Sequence, residues 1–76
     1  MKSMGRPKIG TILFAIPPAE IVLFKSIVES YDNLATLRTE DPELHHLRMY
    51  FSGDQRAEVE AMMSALALQF TIRRLE

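Results

Sequence analysis

The stretch from Pro18 to Glu40, PAEIVLFKSIVESYDNLATLRTE, restricts this chain more than any other, because it changes hydrophobic period part-way along. At 100° per residue, Ile21, Phe24, Ile27, Val28 and Tyr31 form one apolar stripe, with Leu23 at its edge. Lys25, Ser26 and Glu29 lie mostly on the opposite side, so the segment predicts an amphipathic helix. Pro18 suits the first helical turn, where no backbone N–H is required, and Glu20 sits at the positive end of the helix dipole. Asp32-Asn33 provides an exit, since Asn tolerates the left-handed conformation that often closes a helix. From Leu34 to Glu40 the period drops to two, the mark of a strand.

The rest of the chain fits around that unit. Ile9 to Ile16 reads as a first strand, with Ile12, Phe14 and Ile16 on one face and Thr11, Leu13 and Ala15 on the other. Pro17-Pro18 ends it, because neither residue can donate to a ladder. Glu40-Asp41-Pro42-Glu43 predicts a turn, and Leu44 to Ser52 a third strand paired to the second as an antiparallel hairpin. Asp54 is the expected N-cap of a second helix, whose core stripe is Val59, Met62, Met63, Leu66 and Phe70. Residues 68–75 admit two readings. A helix running to the end would leave Leu68, Ile72 and Leu75 as a second apolar stripe seeking a partner; a short fourth strand suits the alternation Leu68, Phe70, Ile72. The helix is the preferred expectation.

The order is therefore βαββα with an optional final strand. A crossover helix after the first strand, and a hairpin before the second helix, put both helices on one face of an antiparallel sheet. The fold class is α+β, in the ferredoxin-like, split βαβ plan. Ile12, Phe14, Ile16, Ala35, Leu37, Leu47, Met49 and Phe51 should meet the helices. Residues 9–76 form one domain, and residues 1–8, with Lys2, Arg6 and Lys8, a flexible arm.

The residues Ile12 to Glu40, an apolar strand, a proline and then IVLFKSIVESYDNLATLRTE, resemble a small uncharacterised bacterial family catalogued as a domain of unknown function. The resemblance spans about residues 11 to 70 and implies a fold without an established activity. The topology is also similar to that of ACT-type regulatory domains, which dimerise and often bind amino acids at the turn after the first strand. That turn usually relies on glycine. Here it is Pro17-Pro18, which removes backbone donors and conformational freedom.

Chemistry is sparse. The chain has 76 residues, no cysteine and a net charge of −1, so disulfides and Cys-based metal sites are excluded and no global field recruits nucleic acid or an anionic membrane. No apolar run is long enough for a signal or transmembrane segment, which places the expected protein in the cytoplasm. His45 and His46, as neighbours on a strand, would face opposite ways and not share a metal. Three scattered glycines make no phosphate-cradling loop, and no Ser-His-acid set has catalytic spacing. The expectation is a non-enzyme with no cofactor and no metal site. The candidate ligand site is Thr36, Arg38, His46, Arg48 and Tyr50 on the open sheet face, where two guanidiniums suit a carboxylate or phosphate. The competing reading makes that face a homodimer interface, with Leu13 and Ala15 at its middle and the arginines paired to Glu40 or Glu43, while Leu68, Ile72 and Leu75 on the second helical stripe are the further candidate contacts. A homodimeric interaction or regulatory module is the first expectation, and an ACT-like sensor of an anionic metabolite or amino acid the second.

Overall fold

A computed structural model describes residues 8–31 and 33–75. The chain runs β1 (Ile9–Ala15), α1 (Pro18–Glu29), β2 (Thr36–Asp41), β3 (His46–Ser52), a 3₁₀ turn (Gly53–Gln55), α2 (Arg56–Leu66) and β4 (Arg73–Arg74). The four strands form one antiparallel sheet in the order β2-β3-β1-β4, the ferredoxin-like arrangement. β1 is central, and the register sets Ile12 opposite Met49 and Phe14 opposite Leu47.

Both helices cover one sheet face. The core joins Ile12, Phe14, Ile16, Leu47, Met49 and Phe51 of the sheet to Phe24 and Val28 of α1 and Val59, Met62, Met63 and Leu66 of α2. Ala35 and Leu37 pack against its edge, so every residue expected beneath the helices is there. No polar or charged residue is buried among those described. The period-two and period-3.6 stripes thus meet in a single apolar layer, which is the condition for a small chain to hold together.

The ends of the elements differ from the sequence expectation. Pro18 opens α1 after Pro17 (φ −59°, ψ 142°), but α1 stops at Glu29 and leaves Tyr31 40% exposed. Asn33 closes the exit at φ 55°, while Asp32, the other residue of that expected exit, lies outside the described residues. The expected arm also lies outside them, except for Lys8, whose carbonyl accepts a hydrogen bond from the Gly53 N–H. Asp54 is not the N-cap of α2. It sits inside the 3₁₀ turn and accepts a 2.6 Å hydrogen bond from the Ser52 hydroxyl.

The larger correction concerns residues 68–75, which are not a continuation of α2. The last turn of α2 tightens through bonds from Leu68 N to Ala65 O (3.2 Å) and from Gln69 N to Leu66 O (2.9 Å), and the chain then turns back. Phe70 drops into the core against Phe24, and Ile72 packs behind it. The Glu20 carboxylate accepts from Thr71 N (2.7 Å) and the Thr71 hydroxyl (3.1 Å). These tertiary attachments offset the loss of helical hydrogen bonds. The proposed second helical stripe does not exist: Leu68 is 88% exposed in the turn, and Ile72 and Leu75 lie on opposite sides of the β4 segment.

β4 pairs only two residues with β1, so side chains secure it. Arg74 donates to both oxygens of Glu60 on α2, at 2.8 and 3.4 Å, and Arg56 adds a 3.4 Å contact. The hydrogen bond from Arg74 holds the Glu60 carboxyl below its ordinary value of 4.5. A depressed carboxyl pKa contributes stability above the unfolded-state value, and that contribution is lost as pH falls through the folded-state value. Acid unfolding followed by circular dichroism should accordingly show a shallower loss of stability below pH 4.5 in Glu60→Gln than in the parent chain.

Candidate functional site

The open side of the sheet is built by strand alternation. Three cross-strand rows result from the register. The first is Thr36, Tyr50 and Thr11. The second is Arg38, Arg48 and Leu13. The third is Asp41, His46, Ala15 and Arg73. All five residues of the candidate ligand site, together with Leu13 and Ala15, therefore share one face, and no helix of the described chain covers it.

Arg48 organises the middle of this face. Its Nε donates to Glu40 Oε1 at 2.9 Å and its Nη1 to Thr11 Oγ1 at 3.2 Å, which lays the guanidinium along the sheet. The side chain is 19% exposed. Arg38 stands directly opposite Arg48 on β2, and like charges at paired positions repel. Glu40 relieves that repulsion because of a bulge: the register steps from Thr39–Leu47 to Asp41–His46, so one extra residue is accommodated in β2. The bulge gathers the Glu40 and Asp41 carboxylates at the same corner. Asp41 Oδ1 also accepts from Glu43 N (3.0 Å) and Leu44 N (3.2 Å), which shapes the hairpin turn.

His45 is not a strand residue. It ends the turn at φ 59°, and its carbonyl accepts from Ile16 N at 3.3 Å. His46 is the strand residue, opposite Ala15. No group of three or more His, Cys, Asp or Glu able to hold a metal occurs among the described residues. Beside the first strand–helix turn lies a shallow cleft of about 270 Å³ walled by Pro17, Leu44, His45, Thr71 and Arg73. Proline at that turn offers the cleft no backbone donor.

Of the expected interface residues, Leu13 and Ala15 occupy the centre of the open face. Leu75 joins them there, since its N–H bonds to the Leu13 carbonyl at 2.8 Å and it alternates with Arg74, which reaches back to α2. Ile72 belongs to the opposite, core side, and Leu68 is remote from the sheet rows. The expected pairing of arginine with Glu40 is present at Arg48. Thr11, Asp41 and Arg73 were not among the expected site residues. Thr11 alternates with Leu13, and that signal was legible; Asp41 and Arg73 depend on the bulge and on β4.

With this geometry in place, comparison with known proteins places the chain. A family model described as "Domain of unknown function (DUF4911)" matches residues 14–69. The chain belongs to the DUF4911 family. No curated protein and no solved structure matches it. The matched segment of this DUF4911 chain runs from within β1 to the turn after α2, and so includes the whole β2–β3 hairpin with Arg38, His46, Arg48 and Tyr50. Among the described residues, no helix is long and apolar enough to cross a membrane.

Proposed function

We infer that this DUF4911 chain is a non-enzymatic interaction or regulatory module of the cytoplasm, acting as a homodimer through its open sheet face. The observation carrying this reading is the layout of that face: apolar Leu13 and Ala15 at its centre, ringed by charged and hydroxyl side chains. An apolar centre with a polar rim is the usual anatomy of a protein interface.

The test is sedimentation at tens of micromolar. The parent chain should run as a dimer. Leu13→Asp, which puts a charge at the centre of the contact, should weaken association at least about 100-fold, equivalent to about 2.8 kcal/mol at 1.4 per decade. Its thermal unfolding should still be cooperative, because Leu13 lies outside the core cluster. A parent chain that stays monomeric overturns the reading. The opposed Arg38–Arg48 pair favours a second one, an anion sensor. In that case the monomer would gain thermal stability with carboxylate or phosphate metabolites, and Arg38→Ala would abolish the gain.

A further inference from the structure

The three rows of the open face are not charged alike. In the third, Asp41 on β2 lies at one end and Arg73 on β4 at the other, with His46 and Ala15 between. The second row begins at Arg38 and passes through Arg48 to Leu13. Such a face reads differently when it meets a copy of itself in different orientations.

We propose that two copies dock face to face with their two-fold axis running along the strands, so that β2 of one lies over β4 of the other. This rests on the homodimer reading above and specifies its geometry. Rotation about such an axis exchanges the two ends of every row and leaves the rows in step. The Asp41 carboxylate then approaches the partner's Arg73, twice over by symmetry. Asp41 keeps its second oxygen for this contact, because the turn amides use Oδ1. Near the axis, Leu13 covers the aliphatic stem of the partner's Arg48, and the small Ala15 leaves room for the ring of the partner's His46. Facing sheets of this kind pack about 10 Å apart with their strands roughly aligned.

The alternative axis, across the strands through the second row, stacks Arg38 on the partner's Arg38. Juxtaposed like charges select against it. Side-by-side pairing is disfavoured as well. The β2 edge is bulged and carries Arg38, Glu40 and Asp41, and β4 offers two residues. Short, bulged and charged edges resist strand addition.

The chain has no cysteine, so introduced thiols report cleanly. Arg38→Cys and Leu75→Cys proteins are mixed, allowed to exchange subunits and treated with a bismaleimide spanning about 10 Å, the sheet separation. The expected product joins the two variants, while Arg38→Cys alone gives little. Independently, Arg73→Glu should weaken the dimer roughly 10-fold at low salt, and less at high salt where surface pairing is screened. Self-linking of Arg38→Cys, or failure of both linkages in a protein that still sediments as a dimer, overturns this geometry and leaves the homodimer standing. So does an Arg73→Glu dimer of undiminished affinity. A monomeric parent chain overturns both.

Discussion

Phe24→Ala is expected to lower the stability of the folded chain by about 3–5 kcal/mol, the range for removing a fully buried aromatic side chain. Phe24 is fully buried and stands in the middle of a ring chain. Its centroid is 5.4 Å from that of Phe14, tilted at 60°, and 5.4 Å from that of Phe70, edge-on at 86°. One truncation thus breaks two aromatic contacts, each worth about 0.5–1.5 kcal/mol beyond area burial. It also opens the one core layer found among the described residues. A domain of this length has a total stability of roughly 4–11 kcal/mol at 0.05–0.15 per residue, so the variant should be largely unfolded at 37 °C or close to it. The control is Val22→Ala on the same helix. Val22 is 80% exposed, and its loss should shift urea unfolding by less than about 0.5 kcal/mol. Equal effects at the two positions would mean that α1 presents a different face to the sheet.

The second large effect is expected at Gly10. This buried residue of β1 lies opposite Phe51, and a Cβ built on it would overlap the Phe51 ring. The ring cannot retreat freely, because the Arg56 guanidinium sits 5.0 Å from its centroid on α2. Gly10 is there to let the ring lie over the strand, as glycine does where another group approaches the backbone closely. Two terms oppose each other in Gly10→Ala. Replacing strand glycine recovers about 0.5–1 kcal/mol of backbone entropy, whereas overpacking a core costs about 1–3. The clash wins, and the melting temperature should fall by roughly 4–8 °C for each kcal/mol of net loss. Adding Phe51→Leu should restore part of that loss, so that the double variant is more stable than the sum of the two singles. Strict additivity in that cycle would remove the ring from the explanation.

The sequence patterns that proved legible were those in which each residue's neighbours along the chain decide its side. Alternation in β1 and β3 assigned Ile12, Phe14, Ile16, Leu47, Met49 and Phe51 to the core, and the 3.6 period assigned Val59, Met62, Met63 and Leu66. It likewise placed Thr36, Arg38, His46, Arg48 and Tyr50 together on the bare side. What local pattern could not supply was decided by partners far along the chain. Nothing between Leu66 and Phe70 marks a helix end, since there is no glycine or proline. The helix stops because Phe70 belongs against Phe24 and Thr71 against Glu20, contacts that cross most of the domain. Phe70 shows the limit well: its burial was expected from the helical stripe, yet it is reached by a turn. The bulge at Glu40 is of the same kind, because only pairing with β3 makes one residue of β2 supernumerary. The bulge, which local pattern does not mark, and the short fourth strand, which it offered only as the alternative to a longer helix, both fall on the candidate site, where they supply its acidic corner and its edge.

One of the two inner strands of the sheet precedes both of its neighbours in the chain, for β1 lies between β3 and β4. Its apolar side can meet α1, the next element, as soon as that helix forms, as Phe24 meets Phe14, but its ladder partners both come later in the chain. Each of its two ladders closes only when a segment well down the chain arrives, so the sheet is expected to assemble late, through pairings that are distant in sequence.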